Sequence, residues 1–226
     1  HLLGCPVIAA MLPREALRRG RGLRAPFELV FAGAAPVRVE QILRLVPGER
    51  LVARVRRDGA TQLMKLFASR RACARERRGL RRLAEAALPA PRLLAADATT
   101  LFLEYLSAAR PLAEFLAEAD AAQRAERLRA AIALLERLHA AGLRHADPHL
   151  GNFLCDGAGL HLVDAGAVRA GGVLPGWRVR NLALFCCQLP LAQRPALADA
   201  LGPARWGSPA LQRAIARATR RRVARR

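Results

Sequence analysis

Apolar residues between positions 37 and 67 recur every second residue, and those after Pro111 recur every third or fourth. The first period is that of strands with one buried face, the second that of helices. Val37, Val39, Ile42, Leu43 and Leu45 predict a strand that stops at the turn signal Pro47-Gly48. Leu51, Ala53 and Val55 alternate with Val52, Arg54 and Arg56 and lead to Asp58-Gly59, a hairpin signal. Thr61 to Phe67 returns as a third strand, so a three-stranded antiparallel meander is expected. Residues 70–87 predict a helix that shares Ala72, Leu80, Leu83 and Ala87 on one face and turns its arginines to the other, ending at Pro89 and Pro91. Two short strands follow, near 92–95 and 101–106.

From Pro111 the pattern is helical. A short helix is expected at 111–117 and a long one at 121–141, with Leu128, Ile132, Leu135 and Leu138 spaced for one buried face and Gly142 as the stop. A polar loop at 144–152 precedes short strands at 153–155 and 160–163, and from Trp177 the chain reads as helix broken near Pro190, Pro195 and Pro203. The fold class is therefore α+β. An N-terminal extension, 1–36, precedes a small sheet-rich lobe, 37–106, and a mainly helical lobe, 107–226.

Composition narrows the class. The chain has 226 residues, 53% hydrophobic and 25% charged, which fits a globular protein with an ample core rather than a disordered one. No apolar run reaches the ~18 residues that span a bilayer. Leu2 to Leu12 is apolar but broken by Gly4 and Pro6, and lacks the basic start and small-residue site of a signal peptide. Cysteines at 5, 73, 155, 186 and 187 form no C-x-x-C pair, which predicts reduced, mostly buried thiols in a cytoplasmic protein. The formal net charge of +20 implies an anionic partner, with local arginine clusters at 14–24, 70–82 and 220–226. Nucleic acid is disfavoured: aromatic residues are 4% and no recognition motif is present.

Of the 38 basic residues, one is lysine, Lys65, in the predicted third strand. A compact ammonium does what a broad planar guanidinium cannot. That strand is where a kinase keeps the lysine that holds the α- and β-phosphates of ATP. Downstream, His145-Ala146-Asp147-Pro148-His149-Leu150-Gly151-Asn152 is followed by Leu162-Val163-Asp164-Ala165-Gly166. Asp147 and Asn152 have the spacing of the kinase H-R-D-x-x-x-x-N loop, and Asp164-Ala165-Gly166 stands where kinases carry D-F-G. Phosphoryl transfer is achieved by positioning and charge neutralisation, and Mg²⁺ takes oxygen ligands. Asp147 is thus the candidate base for an acceptor hydroxyl, and Asn152 and Asp164 the candidate metal ligands.

The run from Leu138 to Asn152, then Leu162-Val163-Asp164, resembles the lipopolysaccharide kinase (Kdo/WaaP-like) branch of the protein-kinase-like superfamily. So does the Arg75-Glu76-Arg77 helix followed by Leu88-Pro89-Ala90-Pro91-Arg92, and the resemblance runs from about residue 40 to 185. It implies a bilobal kinase fold, ATP with Mg²⁺ between the lobes, and a glycolipid sugar hydroxyl as acceptor. It implies that Glu76 pairs with Lys65, in preference to Glu85, and that Glu104 and Tyr105 at the lobe junction contact the nucleotide. The charge of +20 without a spanning segment adds the expectation of a cytoplasmic enzyme, peripheral on the inner face of a bacterial membrane. The chain departs from the family pattern at the glycine-rich loop, reduced to Gly48, at Ala165, at Pro148 and at Asn181, where relatives carry Asp beneath the catalytic loop.

Two other functions compete. A small-molecule kinase of the aminoglycoside or choline type shares H-x-D-x-H-x-x-N, but the positive charge opposes a cationic acceptor. An inactive pseudokinase that binds anionic partners is the second. His145 and His149, with His139 and His161 nearby, offer a zinc-like spacing, but Pro148 and Gly151 keep the stretch from being helical. The expected roles are structural, His145 supporting the loop by hydrogen bonds and His149 packing near the site.

Overall fold

The computed structural model of the chain describes residues 9–171 and 174–224. Cys5, the apolar stretch up to residue 8, and Arg225 and Arg226 of the basic tail lie outside the described residues. The chain is α+β and divides into two compact units, residues 1–78 with 91–106 and residues 79–90 with 107–226.

In the first unit β1 (Ala10–Met11), α1 (Pro13–Arg19) and β2 (Phe27–Leu29) precede the predicted meander of β3 (Val37–Val46), β4 (Arg50–Arg57) and β5 (Ala60–Phe67). Then come α2 (Arg70–Glu85), β6 (Leu93–Ala96) and β7 (Thr100–Glu104). The sheet order is β1-β2-β3-β4-β5-β7-β6, antiparallel except for β1 against β2. Strict alternation buries Leu51, Ala53 and Val55 of β4 completely. Strand β3 is less regular: register shifts between Val39 and Gln41 and between Ile42 and Arg44 turn its apolar phase, so Val37 and Val39 are buried while Leu43 is exposed. The region ahead of the meander supplies Met11, Leu17, Leu23, Phe27 and Leu29 to this core.

Helix α2 corrects the expected face. Its buried positions are Cys73, Glu76, Gly79, Leu80 and Leu83; Ala72 is half-buried, and Ala87 lies past the helix end, exposed, with φ 49°. The buried stripe therefore carries a carboxylate.

In the second unit β8 (Arg110–Pro111) and α3 (Leu112–Glu118) lead into α4 (Ala121–Ala140). A capping box starts α4, with Asp120 accepting from the Gln123 amide, and Gly142 at φ 70° follows its end. Short strands β9 (Leu143–His145), β10 (Phe153–Cys155), β11 (Leu160–Leu162) and β12 (Val168–Ala170) come next. They are followed by α5 (Pro175–Cys186), α6 (Pro195–Leu201), α7 (Pro203–Trp206) and α8 (Pro209–Val223). Prolines begin each of these last helices, where a missing N–H costs nothing. Cys73, Cys155 and Cys186 are buried free thiols and Cys187 is half-buried. Burial pushes the Cys73 thiol up to about 11 and the Cys186 thiol up to about 12.

Candidate active site

Lys65 lies on β5, a strand paired on both sides, opposite Val52 of β4 and Leu101 of β7. Gln62, Met64 and Leu66 point to the core face, so Lys65 points to the other. There its Nζ meets Oε1 of Glu76 in an ion pair, with Lys65 8% and Glu76 2% exposed. Glu85 instead pairs with Arg81 at 3.6 Å on the surface. Two charges this buried are costly to desolvate and hold only as a pair. At the end of β7, Glu104 receives Arg92 Nε at 3.1 Å, and Tyr105, half-buried, begins the connection that follows.

The turn between β3 and β4 is the place of the shortened glycine-rich loop. It spans residues 47–49, and the Gly48 amide donates to the carbonyl of Leu17 at 3.1 Å. Helix α1 thus holds this turn from outside the meander.

In the second unit, residues 143–170 fold on themselves. β9 pairs with β12 so that His145 lies opposite Val168, and β10 pairs with β11. The Ala146 amide donates to Ala167 O at 2.9 Å, and the Val163 amide to Asn152 O at 2.9 Å. These bonds hold the loop of Asp147 and Asn152 against the turn of Asp164. The carbonyl of Asp147 accepts from the His149 amide at 2.7 Å and from Asn152 Nδ2 at 2.9 Å. With its Nδ2 so engaged, Asn152 keeps Oδ1 as an acceptor without a donor among the described residues. The Asp147 side chain is exposed and forms no ion pair among the described residues. Asp164, half-buried, adopts φ 55° and ψ 52°, a left-handed conformation that a non-glycine residue takes only where surroundings impose it.

One of those surroundings is Gly79. A Cβ built there would lie 1.8 Å from the carbonyl oxygen of Ala165, so the backbone of α2 touches the turn directly. The absent side chain is what permits the approach.

Beneath the loop a buried polar chain runs across the helices. His139 Nε2 donates to Asn181 Oδ1 at 3.0 Å, and Asn181 Nδ2 donates to His145 O at 2.6 Å. His145 Nε2 donates to Val163 O at 3.2 Å, which leaves its buried Nδ1 without a partner among the described residues. Burial, aided by the nearby Arg178 charge, holds the His139 pKa below the ordinary histidine value, against the opposing hydrogen bond to Asn181. Gln188 clamps the loop from the far side: its Oε1 accepts from the Leu150 amide and its Nε2 donates to Pro148 O, both at 3.0 Å. His149 is exposed rather than packed, its Nδ1 accepting from the Gly151 amide at 3.0 Å. His145 and His149 thus serve different backbone groups, and among the described residues no three His, Cys, Asp or Glu side chains converge on a metal position.

Asn181, a departure from the family pattern, still supports the loop, because its amide both accepts from His139 and donates to His145 O. Sequence reasoning missed Gln188 and Gly79. A glutamine after a helix carries no periodic signal, and a helical glycine reads only as a weak helix former.

The donor set suits a hard cation held with phosphates. One carboxylate and one amide oxygen, Asp164 and Asn152, lie on bonded neighbouring segments, and Mg²⁺ is commonly held by one or two carboxylates plus substrate phosphates. Among curated proteins, none matches this chain. The family model of the lipopolysaccharide kinase (Kdo/WaaP) family matches residues 49–182, a span that starts within one residue of β4, runs through Lys65, Glu76, Asp147, Asn152 and Asp164, and ends just past Asn181. That span exceeds half of the 226 residues, and the chain belongs to the lipopolysaccharide kinase (Kdo/WaaP) family.

Proposed function

We propose that this protein is an ATP-dependent kinase of bilobal, protein-kinase-like fold that phosphorylates a sugar hydroxyl of lipopolysaccharide core or a related glycolipid. The observation that carries the reading is the buried Lys65–Glu76 pair in a family whose members are kinases. The one lysine of the chain has its ammonium fixed by a carboxylate on a helix, which serves phosphate oxygens better than a mobile surface cation does.

When bound, ATP with Mg²⁺ supplies the phosphoryl group and the charge that neutralises it. Lys65, oriented by Glu76, holds phosphate oxygens. Asp164 and the Oδ1 of Asn152 hold the metal. Asp147 orients the acceptor hydroxyl and takes its proton, an exposed carboxylate whose backbone is fixed by two hydrogen bonds. Glu104 and Tyr105 contact the nucleotide base.

The +20 charge supports a peripheral position on an anionic membrane face, on the cytoplasmic side of a bacterial inner membrane. Among the described residues no helix is long and apolar enough to cross a membrane.

Glycolipid from cells with and without the gene, compared by mass spectrometry, tests the reading. The expected difference is one phosphate per molecule. Identical glycolipids, together with no phosphoryl transfer by the purified protein to any glycolipid or sugar, would make it a nucleotide-binding pseudokinase.

A further inference from the structure

A groove of about 1220 Å³ opens beside the Asp147 loop, between α5 and α8. Asp147 and His149 line one part of it, and Arg180, Arg213, Arg217, Arg221 and Arg222 supply its positive charge. We infer that this groove binds a negatively charged oligosaccharide through at least two of its phosphate or carboxylate groups, and that Arg213 and Arg217 set this specificity. The inference rests on the reading of Asp147 as the residue that receives the acceptor hydroxyl.

Four observations carry it. The first is the pattern on α8. Ala210, Ala214 and Ala218 recur every fourth residue and line the groove, and Arg213, Arg217 and Arg221 recur with the same period beside them. Small side chains keep the groove open while the arginines ring it. Like charges four apart in a helix destabilise it by about 0.2–0.5 kcal/mol per pair, so a solvated helix face gains nothing from this stripe.

The second is the lack of counter-charges. Some arginines elsewhere are paired, as Arg54 and Arg56 are with Glu40 and Arg205 is with Glu136. Neither α5 nor α8 contains an acidic residue, and among the described residues Asp147 is the one carboxylate lining the groove. Arg213, Arg217 and Arg221 form no ion pair among the described residues.

The third is order. The Arg180 guanidinium lies 5.0 Å from the centre of the Trp177 ring, which holds it in place before any ligand arrives. The fourth is dimension. Successive arginines of the stripe are about 6 Å apart along the helix axis, which spaces them for several anions on an extended ligand rather than for one phosphate. The volume exceeds the roughly 300–1,000 Å³ of ordinary small-molecule pockets. Guanidinium groups bind phosphate and carboxylate in bidentate fashion, so a choline-like or aminoglycoside cation is repelled here.

The test uses deacylated lipopolysaccharide core oligosaccharide, fluorescently labelled, either intact or with its phosphates removed by hydrofluoric acid. Equilibrium binding is measured for the full chain, Arg213→Gln/Arg217→Gln, Arg213→Lys/Arg217→Lys, and a control of equal charge, Arg71→Gln/Arg129→Gln. Both altered control positions are exposed and outside the groove. Thermal midpoints confirm that each variant folds.

The expected result is at least tenfold weaker binding of the intact oligosaccharide by the glutamine variant, a smaller loss by the lysine variant and none by the control. With the dephosphorylated oligosaccharide, the proteins differ little if phosphates are the groups bound, and the glutamine variant keeps its loss if carboxylates are. Equal losses in groove and control variants would overturn the inference, since charge alone would then explain binding. So would an equal loss of co-sedimentation with phosphatidylglycerol vesicles, which would make the groove a membrane contact. Turnover is scored separately. Groove-dependent binding without phosphoryl transfer keeps the groove and refutes the kinase, whereas transfer unaffected by the glutamine variant, with unchanged binding, keeps the kinase and refutes the groove.

Discussion

Asn181 donates from Nδ2 to the main-chain oxygen of His145 at 2.6 Å while its Oδ1 accepts from His139 Nε2 at 3.0 Å. One buried amide thereby ties α4, α5 and the start of the Asp147 loop together. Asn181→Ala leaves a donor and an acceptor unsatisfied, at about 1–3 kcal/mol for each. Asn181→Asp keeps the bond from His139 but has no hydrogen to offer the His145 carbonyl. Chemical denaturation is expected to rank the wild type above Asn181→Asp, with Asn181→Ala lowest. A wild-type midpoint for the alanine variant would show that the chain of bonds contributes nothing.

The same network predicts how stability responds to acid. Burial lowers the His139 pKa, so the unfolded chain takes up a proton there at a pH where the folded chain does not. Stability then rises with pH through that window. It is fully present above the ordinary histidine value, ~6.5, and declines as pH falls below it towards the depressed folded value. His139→Gln should flatten this part of the curve, read as thermal midpoint against pH between 5 and 7.5, on the order of the histidine range.

Lys65 and Glu76 separate charge from geometry. Glu76→Ala strands a buried ammonium and is expected to cost about 3–5 kcal/mol of stability. Lys65→Arg keeps a cation beside Glu76 and should cost less, yet abolish turnover because the wider guanidinium does not occupy the ammonium's place. Steady-state rates alongside denaturation curves check both. Normal turnover in Lys65→Arg contradicts the assignment of the phosphate-binding role.

Asp147→Asn retains shape and removes proton acceptance. Turnover should fall by about 10²–10⁴-fold, while nucleotide affinity, measured by calorimetry with ATP and Mg²⁺, should stay within a few-fold. The reverse pattern, lost affinity with residual turnover, would make Asp147 a metal ligand.

Gly79→Ala has a sign that discriminates. In an unencumbered helix, alanine is favoured over glycine by about 1 kcal/mol. Here the added Cβ falls 1.8 Å from Ala165 O, so either α2 or the Asp164 turn must move. Destabilisation by about 1–3 kcal/mol is expected, with weaker Mg²⁺-dependent nucleotide binding. A stabilised protein with intact binding would show that the close approach is unimportant.

Much of this molecule was readable from residue types and spacing. The alternation of Leu51, Ala53 and Val55 defined β4, and the proline and glycine punctuation located the meander turns and the end of α4. The preference of Lys65 for Glu76 over Glu85 came from the family resemblance and the place of Glu76 in the helix. What escaped was long-range. Met11 and Phe27 join the sheet core through two short strands, too brief to set up a period, so residues ahead of 37 read as an extension. The burial of Glu76 depends on Lys65 of β5, a partner that the pattern of α2 by itself does not show. The roles of Asn181 and Gln188 depend on backbone atoms over 30 residues away, which side-chain patterns do not encode.

The isolation of Lys65 makes the protein its own single-site reporter. Apart from the α-amino group, the chain offers one amine to acylating or alkylating reagents, and that amine is 8% exposed beside a carboxylate. Reductive methylation with ¹³C-formaldehyde should label one side chain, at the ion pair, in addition to the α-amino group. Its NMR signal would follow the opening of that pair, and its protection by ATP, without mutation of any residue.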